Sequence, residues 1–144
     1  MYKLSGTILI FISVTGIFCK RNINHYFSYK YLEEITDILL LLKSACQMGK
    51  TYNSVWSAAD FDRFRIYNSE FKHFLVEKRL YERAENLIAS AGQRNRKAEM
   101  EFLDYSLEEI KSEYQIYKNS YEAERKNALL CGLAVSALIV IVII

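Results

Sequence analysis

At 144 residues and a formal net charge of +2, the chain is one domain's worth and lacks the clustered basic excess of a nucleic-acid footprint, so nucleic acid is not an expected partner. Five Gly and no Pro favour long uninterrupted helices over a turn-rich β design. The three Cys lack the paired short spacings of a zinc site, and His25 and His73 are solitary, so the sequence points to no catalytic residue, no metal, no cofactor and no enzyme.

Residues 2–19, YKLSGTILIFISVTGIFC, are uncharged after Lys3 and end at Lys20 and Arg21. Phe18 and Cys19 close the segment where a cleavage site wants small residues, which favours an uncleaved N-terminal transmembrane helix; a cut near Val14 to Gly16 keeps the signal-peptide alternative open. Next, Leu32, Ile35, Leu39, Leu42 and Cys46 recur at three- and four-residue spacing, an amphipathic helix. Asp37 and Lys43 bracket too few apolar residues for that helix to cross a membrane itself. Gly49-Lys50-Thr51 spells the end of a phosphate-binding loop, but Ser44 stands where the pattern needs its first glycine. Gly49 therefore reads as a helix terminator.

The stretch from Tyr52 to Tyr67 is apolar at irregular spacing and fits one short helix or two. Asn68 or Ser69 then caps a helix marked by Phe71, Phe74, Leu75, Tyr81, Ala84, Leu87, Ile88 and Ala91 and ended by Gly92. Asn95 caps a long final helix whose Met100, Leu103, Leu107, Ile110, Tyr114, Tyr117 and Tyr121 form a heptad seam. Glu108 and Glu109 flank that seam as a solvated face. After Lys126 the sequence NALLCGLAVSALIVIVII carries no charge; about 18 residues give roughly 27 Å of helix, near the thickness of a hydrocarbon core. Gly132 and Ser136 lie four apart there, a spacing that lets two membrane helices approach closely.

The expected fold is all-α: transmembrane helices over 2–19 and 127–144 flank an antiparallel helical bundle over 20–126 with a long C-terminal helix. Leu32, Ile35, Leu39 and Leu42 are expected to pair with Leu103, Leu107, Ile110, Tyr114, Tyr117 and Tyr121. Lys20, Arg21, Arg125 and Lys126 flank the apolar runs on their inner sides, which predicts a two-span protein of the cell membrane with its middle domain in the cytoplasm and the lipid bilayer as a partner.

The chain also resembles the stage III sporulation protein AB family of endospore-forming bacteria. The resemblance rests on Lys3, Leu4, Gly6 and Ile10, on Thr15-Gly16, on Gly49 and Thr51 within Met48–Asn53, on Ala91–Glu99, and on Lys126, Gly132 and Val140-Ile141. The family's Tyr, Pro and Leu of the first turn are missing, and the shortfall in length lies between Tyr52 and Phe71. The resemblance implies a structural membrane component of a secretion-like channel apparatus between mother cell and forespore. It further implies docking of a secretion-type ATPase beside other membrane proteins. The heptads alone would also suit an unrelated membrane-anchored coiled-coil scaffold of the cell envelope.

Overall fold

Leucine and isoleucine at helical spacing on two long segments set the architecture. The protein is seen in a computed structural model that describes residues 2–58 and 63–143, with residues 2–11, 13–15, 18, 57, 58 and 136–143 described by their helical backbone alone. Every regular element among the described residues is a helix: α1 (Tyr2–Gln47), α2 (Tyr52–Ala58), α3 (Lys72–Leu75), α4 (Lys78–Ser90) and α5 (Arg96–Ile143).

α1 and α5, of 46 and 48 residues, form an antiparallel pair. Its register can be followed from one end to the other. Arg21 Nε lies 2.7 Å from Glu124 Oε1, Tyr29 meets the rings of Tyr114 and Tyr121, Lys43 pairs with Asp104, and the Cys46 thiol donates to the Arg96 carbonyl at 3.8 Å. As the α1 number rises from 21 to 46, the α5 number falls from 124 to 96, as in two antiparallel helices that run past one another without a slip.

Between the helices, Leu32, Ile35, Leu39 and Leu42 of α1 and Leu103, Leu107 and Ile110 of α5 lie buried in one apolar cluster. Tyr114 and Tyr117 pack against this cluster half-buried. Tyr121 continues the seam as ring contacts with Tyr26 and Tyr29, centroids 5.6 and 5.4 Å apart. Burying a leucine-sized side chain contributes roughly 1.5–3 kcal/mol, so this cluster is the main source of cohesion.

The short helices cover one side of the pair. Val76, Leu80 and Ala84 add buried contacts from the α4 side, and Phe64 adds one from the connection after α2. Arg83 of α4 forms ion pairs with Glu109 and Glu113 of α5, and Lys72 of α3 holds Glu85 of α4 at 2.8 Å. The connection from α2 to α3 is fastened by Glu34 of α1. Its carboxylate accepts the backbone N–H of Ile66 at 3.0 Å and of Tyr67 at 2.8 Å.

The sequence predicts one helix through Phe71 to Ala91; the chain instead breaks at Val76, whose φ of −99° and ψ of 147° are extended. The break turns Val76 into the core, while Phe71 and Phe74 are left 64% and 73% exposed.

The two membrane spans are corrected. Among the described residues no helix is long and apolar enough to cross a membrane. α1 has no boundary at Cys19: it continues through Lys20, Arg21, Asn22 and Asn24 into the buried seam as one helix. The side chains at 2–11, 13–15, 18 and 136–144 of the two predicted spans, Ser136 among them, lie outside the described residues. The bilayer as partner, the two-span location in the cell membrane, the sporulation channel component and the membrane-anchored scaffold all required those spans. So did docking of an ATPase at the membrane, and these expectations are withdrawn with the spans.

Candidate functional site

One end of the bundle is built from two turns that meet. α1 closes in a Schellman motif: Lys50 N–H reaches the Ala45 carbonyl at 2.9 Å and Gly49 N–H the Cys46 carbonyl at 3.2 Å, with Gly49 at φ +68°. That φ is left-handed, which glycine adopts without a Cβ penalty. Opposite it, α4 ends at Ser90 and the chain turns through Gly92, at φ +83°, into Asn95. Asn95 caps α5 by accepting the Ala98 N–H on Oδ1 at 3.0 Å.

A buried carboxylate joins the two turns. Glu99 is 3% exposed, and its Oε1 accepts the Tyr52 hydroxyl at 2.9 Å and the Gly92 N–H at 2.7 Å. Its Oε2 makes no hydrogen bond; Arg94 Nη1 stands 3.8 Å away. Tyr52 lies so close beneath Gly92 that a Cβ there would come within 2.9 Å of the ring. Burial, then the hydrogen bond to Glu99, pushes the Tyr52 phenol above its ordinary value.

Arg94 is held in place. Its guanidinium lies 3.8 Å from the centroid of the Phe102 ring and donates to the Ser90 carbonyl at 2.8 Å. Arg96 donates to the Gln47 carbonyl across the joint. Between the turns opens a cleft of about 600 Å³, with Lys50 and Thr51 on one wall and Arg94 and Arg96 on the other. Three of its lining residues are cationic, and the anionic one, Glu99, is buried and engaged. The cleft therefore presents net positive charge.

The seam residues of α1 and α5 and this cleft occupy different places: the seam builds the rod and the cleft sits at its tip. Gly132 is exposed on α5, where a Cβ would meet nothing within 4 Å, and the Ser136 side chain is outside the described residues. His25, at the other end of the pair, lies 3.0 Å from Glu124 through Nδ1. His73 is exposed and stacks on Phe74. Gly49-Lys50-Thr51 follows a helix rather than a strand, so its glycine ends α1.

Arg94, in the turn before α5, and Glu99, in its first turn, are marked by no periodicity in the sequence. The available signal was Glu99 in the first turn of a capped helix, where a carboxylate is favoured near the helix N-terminus. The partners that bury it, Tyr52 and Gly92, are distant in sequence and gave none.

By its geometry the chain is an antiparallel helical hairpin capped on one side by short helices. No known protein family, curated protein or solved structure matches it.

Proposed function

We propose that this chain is a non-catalytic helical scaffold, a stiff rod that holds the surface at its tip at a set distance from the opposite end of the pair. The observation that carries the reading is the continuous register of α1 against α5, from Arg21–Glu124 to Cys46–Arg96. Charged side chains along that length are engaged in bridges between elements: Lys43 to Asp104, Arg83 to Glu109 and Glu113, Arg63 to Asp37. Such bridges fix relative position; each adds little stability at the surface. Close packing of the buried seam resists bending and sliding, because interiors are packed like crystals.

Spin labels test the rigidity. With Cys19, Cys46 and Cys131 replaced by Ala, labels at Gln47→Cys and Gln115→Cys lie on exposed positions of the two helices. Gln47 is level with Arg96, so the axial separation is about 29 Å at 1.5 Å per residue. A single narrow distance distribution in pulsed electron resonance is expected. A broad or two-peaked distribution would refute the scaffold reading.

A further inference from the structure

The tip cleft combines features that a purely structural joint does not require. Its walls are fixed before anything enters: Tyr52 lies against Gly92, Glu99 links both turns, and Arg94 is sandwiched between Phe102 and the Ser90 carbonyl. A guanidinium held this way loses little freedom when it takes a carboxylate on its planar fork. Lys50, on the opposite wall, is exposed at the end of a closed helical turn. Arg96 stands beside the N-terminus of α5, where the helix dipole adds positive potential. About 600 Å³ is room for a few side chains, and a near-neutral chain that gathers cations here but carries Glu101 and Asp104 on the following turns of α5 has no extended basic face for a nucleic-acid backbone.

We infer that this cleft docks a short acidic peptide segment of a partner protein, its carboxylates received by Lys50, Arg94 and Arg96. Glu99 is a positioning residue, because it touches the turns and not the ligand. A peptide also brings backbone N–H groups, for which Thr51 and Asn53 at the cleft edge offer side-chain oxygens. The inference adds a ligand to the scaffold reading without depending on it: a flexible rod could still bind, and a rigid one could fail to.

The experiment is fluorescence anisotropy with a labelled hexaglutamate peptide on the full chain, at low salt and with salt added. Saturable binding that weakens with salt is expected, with hexalysine not bound. Lys50→Glu and, separately, Arg94→Gln should each weaken hexaglutamate roughly tenfold, the loss expected for one charge-assisted contact. Lys111→Glu, an exposed site on α5 away from the tip, should leave it unchanged. Lys50 is in an exposed turn, so that variant reads binding even where Arg94→Gln loosens the joint; circular dichroism melts of both accompany the titration. Equal affinity for hexalysine, or affinity indifferent to both tip variants, would overturn the inference. Tighter binding of a single-stranded oligonucleotide, or full displacement of the peptide by inorganic phosphate at equal concentration, would overturn it in favour of another anion.

Discussion

Glu34 fastens the cap of the bundle to the rod, and removing it has a magnitude that can be worked from contacts. Its Oε2 accepts two backbone donors, Ile66 N–H at 3.0 Å and Tyr67 N–H at 2.8 Å, with Oε1 at 3.2 Å from the Ile66 nitrogen, in a connection that also carries the buried Phe64. A hydrogen bond to a charged acceptor is worth about 1.5–3 kcal/mol, and water can partly replace it where the donors are half-buried. Glu34→Ala should therefore cost about 2–3 kcal/mol, whereas Glu34→Gln, which keeps one carbonyl acceptor, should cost about 1 kcal/mol. Trp56 is the sole tryptophan and packs against the core beside this connection, so its fluorescence follows urea unfolding directly. Amide exchange gives a second readout: in Glu34→Ala, Ile66 and Tyr67 should exchange by local opening before the α1–α5 seam does. A loss of stability under about 0.5 kcal/mol, with unchanged exchange at both amides, would refute the role assigned to Glu34.

Leu107 is 5% exposed in the seam, so Leu107→Asp buries an unpaired carboxylate and should abolish the cooperative thermal transition in circular dichroism; a native-like melt would contradict the packing described. Alkaline titration should also unfold the protein. Burial, reinforced by Glu85, raises the Tyr31 phenol above its ordinary 10.0, and burial likewise raises Tyr52 and Tyr67. Above about pH 10 the unfolded chain releases these protons while the folded one keeps them, so stability is fully present below that pH and falls above it, by about 1.4 kcal/mol per pH unit for Tyr31 alone. Urea midpoints between about pH 8 and pH 11 measure the fall. Midpoints that stay level across that range, or a Tyr31→Phe variant with an unaltered slope, would be inconsistent with it.

The long helices and the residues that face each other were legible in the sequence because helical periodicity is a local property. Leu32, Ile35, Leu39 and Leu42 announce a buried stripe without knowledge of what covers it, and Leu103, Leu107 and Ile110 do the same on α5. The ends of the helices were legible where a chemical terminator was present, Gly49 and Asn95. The break at Val76 was not, since nothing in Leu75-Val76-Glu77 forbids helix and no local signal marks the extended backbone there. The tip cleft was illegible for the same reason. Its parts, Lys50 to Asn53 and Gly92 to Glu99, are separate turns in sequence, and only antiparallel pairing of α1 with α5 brings Tyr52 to Glu99. Apolar composition alone misled at the chain ends, where α1 and α5 run without a boundary between the apolar residues and the charged ones of the paired helices.

The antiparallel pairing also orders events in time. At the tip, Cys46 meets Arg96 at a sequence separation of 50 residues and Tyr52 meets Glu99 at 47, whereas the tyrosine contacts at the far end of the seam, Tyr26 with Tyr121, close a much longer loop. Closing the far contacts first would order almost the whole chain at once, while closing the tip first leaves each further pair only a few residues of new loop to fix. Loop-closure entropy accordingly favours, by about 0.6 kcal/mol, pairing that starts where the two turns lock and proceeds outward along α1 and α5 toward the tyrosines. Opening in the reverse order, with the tyrosine end fraying before the tip, is the expected pattern of amide exchange along α1 and α5.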